Sequence, residues 1–301
     1  MKKLSLLVVA LLLLSLSLVA KAPDIVVVKG EGIYENTLFA VEKMGGMQRF
    51  VQPGQKVGLL VNSDFKEYGA YVNPDIVIAV LKMIFDAGVS DVVFLQPVSE
   101  EYWKKSNLAE SHWDIISKTR GIDANKFPAQ FSEEYFVKIE NVENAKAINF
   151  ELEIVKEFFD VDVFINIPIA KHHATTVLTN AMKNLMGLNT RASNVKFHLN
   201  GPSRNDPDFI AQCIVDLNLL RKADLIISDM TNVIKTNGPG GPGEIISPMK
   251  IVAGRDAVAI DKYCAQELGF FIEDVLTVQK GFEAGLGKID LNQLNIVEFE
   301  N

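Results

Sequence analysis

Residues 171–187 read KHHATTVLTNAMKNLMG and follow directly on the apolar run DVDVFINIPIA. Adjacent histidines, lysines on either side, hydroxyls and amides can hold an anion, exchange protons near neutral pH or ligate a metal. If residues 175–186 form a helix of about 100° per residue, Thr176, Thr179, Asn180, Lys183 and Gly187 share one arc. Leu178, Ala181, Met182 and Leu185 then fall opposite, toward the core. The polar arc carries an ammonium and no acid, whereas a solvated face of so acidic a chain would mix Glu with Lys. The stripe is therefore expected to meet a small anionic ligand, a carboxylate or phosphate, with Lys171 and Lys183 supplying charge and the helix amides adding to it. The plainer alternative is that Lys183 lies along the surface and the threonines only cap and back-bond the helix.

Three of the four histidines, His172, His173 and His198, cluster around this segment. Neighbours on a loop point apart, so one of His172 and His173 is expected to face the site. His173 is expected to act as acid/base, or as a ligand with His198 and an acid such as Asp229 or Asp256 in a shell for a divalent metal. Neither H-x-x-x-H nor H-E-x-x-H spacing is present. Asp229 ends the run ADLIISD, and TNGPGGPGE follows as a loop whose glycines, Gly240 among them, let backbone approach a ligand. That loop fits neither GxxxxGK[ST] nor GxGxxG. Asp256, in MKIVAGRDAVAID, can serve the site or simply cap the next helix.

The elements that must position these groups alternate. KVGLLV, DVVFLQ, VDVFINI, ADLIISD and MKIVAG read as strands, with helices over 33–44, from Asn73-Pro74-Asp75 onward, and over 209–220 and 256–268. Strand, helix, strand within some 40 residues is a βαβ unit, so the fold class is α/β, a mostly parallel sheet flanked by helices. The VFINI strand should deliver the 168–175 loop to the carboxyl edge of the sheet, where ligands sit in open α/β folds. Residues 99–157 lose the alternation and read as an irregular insertion packed over one sheet edge, with Trp103 and Trp113 burying it against the core. Residues 23–301 otherwise read as a single α/β domain.

The N-terminus has a separate function. Lys2 and Lys3 precede an uncharged Leu-rich run over 4–20 and the small residues Ala20 and Ala22, the order of a secretory signal. Residues 1–22 are expected to direct export to the periplasm or outside the cell, with an uncleaved membrane anchor as the alternative, since Pro23 is a poor residue after a cleavage site. Without them the chain has 27 basic residues against 38 acidic, a net charge of −11, which argues against nucleic acid as a partner. Two cysteines, Cys213 and Cys264, with no C-x-x-C, leave no iron–sulfur cluster held by this chain alone.

The motif D-x-x-I-N-x-P followed by K-x-H-x-x-T-x-x-T-x-x-x-K-N-x-x-G resembles the signature of the family catalogued as domain of unknown function 362. It stands here as Asp162, Ile165, Asn166 and Pro168, then Lys171, His173, Thr176, Thr179, Lys183, Asn184 and Gly187. His198, Asp229, the Gly238 to Gly243 loop, and Gly254, Asp256, Ala259 and Asp261 follow in the family's order. The resemblance implies ligand-binding roles for Asn184 and for Asn62, the one residue retained from a K-P-N triplet after the second strand. It also implies a redox partner protein, because relatives contain or accompany ferredoxin-type cysteine runs that this chain lacks.

Three functions stay open at this stage: an exported enzyme acting on a small anion through Lys171, Lys183, His173 and Asp229, a non-catalytic binding protein for a small anion or metal, and an accessory subunit of an iron–sulfur redox system.

Overall fold

The computed structural model describes residues 22–121 and 131–301. The export segment expected at 1–22 thus lies outside the described residues, Ala22 apart. Apolar, β-branched runs build a seven-stranded sheet. In spatial order its strands are Ile296–Glu300, Ile25–Lys29, Lys250–Gly254, Leu225–Met230, Val163–Ile167, Lys56–Val61 and Asp91–Phe94. Four of the six neighbouring pairs are parallel; the two antiparallel ones are both made by Lys250–Gly254. The fold is α/β with a mostly parallel sheet flanked by helices. VFINI is wholly buried and KVGLLV almost so, which explains why neither alternates with polar residues.

The chain passes from Lys56–Val61 to Asp91–Phe94 on one side, then returns to Val163–Ile167 on the other. Progress across the sheet reverses there, and a crevice opens at the carboxyl ends of parallel strands at such a point. The first crossover uses the helix Pro74–Asp86, whose start is as expected: Asn73 accepts from the Asp75 amide at 2.9 Å, with Pro74 in the first turn.

The 99–157 stretch is held in two places. Arg120 exchanges backbone bonds with the edge strand, donating to the Val92 carbonyl at 2.8 Å and accepting from Phe94 at 2.9 Å. Further on, Asp216 of the helix Pro207–Asn218 accepts the amides of Lys146, Ala147 and Ile148 at 3.0, 2.6 and 2.9 Å. Those three amides solvate a carboxylate that is itself fully buried. Trp103 is buried against Phe94 and Tyr102. Trp113 is not: it stays 49% exposed, because Ile115 and Ile116 fill the contact of its short helix instead.

The main departure falls on residues 171–187. Lys171–His173 and Val177–Thr179 pair as an antiparallel hairpin, and helix is confined to Ala181–Asn184 with a 3-10 turn over Leu185–Leu188. The long helix and its polar arc do not form. Thr175, Thr176, Val177 and Thr179 are β-branched, stiff in a helix and at home in strands. Among the described residues no helix is long and apolar enough to cross a membrane.

Candidate functional site

An open cleft of about 720 Å³ lies at the carboxyl ends of Lys56–Val61, Asp91–Phe94 and Val163–Ile167. Asn62, Asp64 and Phe65 enter it from the first loop, Gln96 and Pro97 from the second, and His173 and Thr179 from the hairpin after the third. Lys183, Asn184, Gly187 and Asn189 continue the wall. Arg191, Asn194, Val195 and His198 close it; their spacing puts them on one face of the helix Arg191–Leu199. Gly187 lets Gln96 pack closely, since a Cβ there would lie 2.2 Å from Gln96 Oε1 and would displace that side chain. The Gly/Pro loop reaches over the hairpin, with the Gly238 amide donating to His172 Nδ1 at 3.0 Å, and Pro239 joins the wall.

His173 faces the cleft, but its contacts favour neither the base nor the metal-ligand role expected of it. Its Nδ1 accepts the amides of Thr175 at 3.1 Å and Thr176 at 3.2 Å, so the ring proton resides on Nε2. Burial, then the nearby Lys183 charge, drives its pKa down to about 2. The ring is a neutral, fixed Nε2–H donor: it has no lone pair left for a metal or for a substrate proton. His198 stands on the other wall, with Nδ1 3.0 Å from Asn205 Oδ1. Among the described residues no group of three or more His, Cys, Asp or Glu side chains is placed to hold a metal ion. The two-imidazole shell for a divalent metal therefore does not fit these residues. Cys213 and Cys264 are both buried free thiols.

The two lysines part company. Lys183 is half-buried in the cleft wall, and burial alone lowers its pKa to about 8, no charged partner contributing among the described residues. Lys171 is fully buried, donates to the Ala70 carbonyl and lies 3.4 Å from the centre of the Phe65 ring. Burial, with a smaller push from Lys183, takes it down to about 6. It sits behind Phe65 as a neutral amine and off the cleft wall, so its predicted anion-holding and catalytic role is not supported by its position.

Asp229, expected in the catalytic set, is also elsewhere. It is buried and accepts from the amides of Asn73 at 2.6 Å and Thr231 at 2.8 Å and from the Thr231 hydroxyl at 2.7 Å, tying loops together. Asp256 caps the helix Ala257–Glu267 through the Ala259 amide at 2.9 Å and accepts from the Lys288 backbone amide at 2.8 Å. Thr176 spends its hydroxyl on the Leu178 carbonyl at 3.1 Å, off the cleft. Gly240 packs beside Phe65, where a Cβ would lie 3.6 Å from the ring, and supports the wall from outside. Asn184 borders the cleft, yet its Nδ2 is committed to Asn166 Oδ1 at 2.7 Å and the Leu60 carbonyl at 3.3 Å. At the start of the short helix that does form, the Ala181 and Met182 amides are taken by Asp261 and are not free for a ligand. Of the predicted residues, Asn62, His173, Thr179, Lys183, Asn184 and His198 thus come together. Phe65, Gln96, Asn189, Arg191 and Asn194 were not foreseen, although the helical spacing of Arg191, Asn194 and His198 is visible in the sequence.

The sequence profile of the family described as "Domain of unknown function (DUF362)" matches residues 56–266. The chain belongs to that family. Every residue lining the cleft lies inside the DUF362 region. The "Thylakoid-associated protein sll1697" of Synechocystis sp. (strain ATCC 27184 / PCC 6803 / Kazusa) is 25% identical over 247 residues, covering 78% of this chain and 67% of that protein. Among solved structures, the lactate racemase apoprotein from Thermoanaerobacterium thermosaccharolyticum is similar at a TM-score of 0.43 and 12% identity, with 83% of this chain covered. This DUF362 chain spans 58% of that racemase chain.

Proposed function

We propose that this DUF362 protein is an enzyme acting on a small anionic substrate bound in the cleft, with Lys183 as the cation that meets it. The observation that carries the reading is Lys183 itself, half-buried in the wall with no charged partner among the described residues. Such an ammonium is poorly solvated, and an arriving anion restores what burial removes. His173 adds a fixed Nε2–H donor, and Arg191 adds a second charge at the exposed rim. With a pKa near 8, Lys183 can both give and take a proton under neutral conditions, so the proton exchange expected of His173 passes to it. The test is calorimetry with inorganic phosphate, sulfate, acetate and glycerate against the full chain and Lys183→Met. At least one anion should bind the parent and bind the variant much more weakly. A parent indifferent to all four removes the reading.

We also propose export, on the strength of Lys2, Lys3, the Leu-rich run and Ala20 and Ala22. The relative described as thylakoid-associated supports a place at or beyond a membrane. N-terminal sequencing from the native host should begin near Pro23. An intact Met1 in the membrane fraction identifies the anchored form, and an intact Met1 on soluble cytoplasmic protein overturns the proposal.

A further inference from the structure

Resting on that reading, we infer that His198 is the proton acceptor of the cleft, held by Asn205 with a bare Nε2 turned to the bound anion. The argument starts from a contrast between two rings. His173 accepts two amides on Nδ1 and so offers the cleft an Nε2–H. His198 has the opposite arrangement. Its Nδ1 lies 3.0 Å from Asn205 Oδ1, an atom that can only accept, so the ring proton sits on Nδ1 and the lone pair on Nε2.

Position makes that lone pair available. The two nitrogens of an imidazole point to opposite sides of the ring. His198 borders the cleft and Asn205 does not, so with Nδ1 turned out to Asn205 the Nε2 edge is the one left to the cleft. The ring is half-buried and open to a ligand, and Arg191, Asn194 and Val195 on the same helix face border the cleft with it. Charge on His198 is among the causes that lower the His173 pKa, which places the two rings near each other. Asn205 grips its partner twice: its amide also donates to the His198 carbonyl at 2.9 Å, from a φ of +59° that asparagine tolerates better than most residues. His198 lies in the last turn of the helix Arg191–Leu199, where the terminal carbonyls favour the imidazolium that forms when a proton arrives. The ammonium of Lys183 and the Nε2–H of His173 can only donate, so they take the acid oxygens. The substrate is then an anion that carries a removable hydrogen. An N–H bond forms at His198 Nε2, and the electron pair of the broken bond stays on the substrate.

The experiment is nitrogen NMR on the full chain labelled in histidine, at about pH 7.5, above the ordinary imidazole range. His198 should show a protonated Nδ1 and a bare Nε2. Asn205→Gly accepts the same φ and keeps the backbone bond, yet it should move the tautomer ratio toward Nε2–H by about fivefold, the worth of one neutral hydrogen bond. Asn205→Asp is still an acceptor and should keep the parent tautomer. A purely structural Asn205 would leave the ratio unchanged in both. Two anions of similar size then probe the acceptor, since inorganic phosphate at this pH carries a hydrogen and sulfate carries none. Phosphate should move the His198 Nε2 resonance toward its protonated position, sulfate should not, and the phosphate response should fade in Lys183→Met. An Nε2 already protonated in the parent, or one that ignores phosphate bound through Lys183, overturns the inference and leaves the anion site standing. An equal response to sulfate makes His198 a second cation and overturns it too. Binding of neither anion, followed by calorimetry, overturns the anion site and this inference together.

Discussion

The Ala181 amide donates to the Asp261 carboxylate at 2.8 Å, and the Met182 amide joins it at 3.2 Å. A buried acid from the helix Ala257–Glu267 thus occupies the first turn of the segment that carries Lys183, and the position of the cleft lysine is set from behind. Burial raises the Asp261 pKa to about 7, although both amides work in the other direction.

That shift has a definite sign in stability. An unfolded aspartate ionises near 3.8, so between there and about 7 the folded chain holds the proton more tightly. The stability this proton confers is present below the lower value and is lost as pH rises through the upper one. Asp261→Asn has no such proton to lose. Its stability relative to the parent, read from denaturant unfolding, should rise from pH 4 to about pH 7, by at most about 1.4 kcal/mol per unit, and level off above that. A constant difference across that range would show that Asp261 does not titrate there.

Lys171 and Lys183 make a paired prediction. Lys171 is neutral when folded above about 6 and charged when unfolded up to about 10.5, so folding discards a proton and stability rises with pH over that interval. Lys171→Met removes the penalty and should stabilise the protein at pH 7 by roughly 1–3 kcal/mol, a gain that fades by pH 10. Phosphate affinity should not change, because the amine lies behind Phe65. Denaturant unfolding at the two pH values, with calorimetry, checks both halves; loss of phosphate binding would put Lys171 back in the site.

This contrast shows where reading the sequence succeeds and where it stops. KVGLLV, VFINI, ADLIISD and MKIVAG were legible because unbroken apolar runs suit strands covered on both faces. The cap at Asn73 was legible because capping is local. The antiparallel direction of Lys250–Gly254 was not, since direction depends on neighbours. Lysine and aspartate read as ligand-facing by type, yet Lys171 is decided by Phe65, and Asp229 by Asn73, 156 positions away. Lys183 was found through a helix that does not exist; the hairpin and Asp261 bring it to the same cleft by another route.

His173 should behave as a fixed donor. Nitrogen NMR of the folded protein should show Nε2 protonated and Nδ1 bare from pH 4 to pH 8, because the Thr175 and Thr176 amides hold Nδ1 and burial keeps the ring neutral. An unfolded histidine charges below about 6.5, so this site loses stability as pH falls through that value. His173→Leu leaves two amides without their acceptor and should cost about 1–3 kcal/mol. A protonated Nδ1 at pH 6 would return His173 to acid/base chemistry.

Lys183 controls the pH range of binding. The free protein loses the Lys183 charge as pH rises through about 8, so the affinity for sulfate, which does not titrate in this range, should be level below that point and decline above it, approaching tenfold per unit. Lys183→Met should bind about ten- to a hundredfold more weakly at pH 7, the worth of one charge-assisted hydrogen bond, and show no break near pH 8. Lys183→Arg keeps its charge to far higher pH and should carry binding past pH 9, though with altered geometry. Removing a half-buried cation that has no charged partner should not lower the melting temperature, and unfolding of Lys183→Met would mean that the side chain serves the core instead. Calorimetric titrations of the three proteins from pH 6 to pH 10 decide the matter: a break that persists in Lys183→Met belongs to another group, and the cleft would then need a different cation.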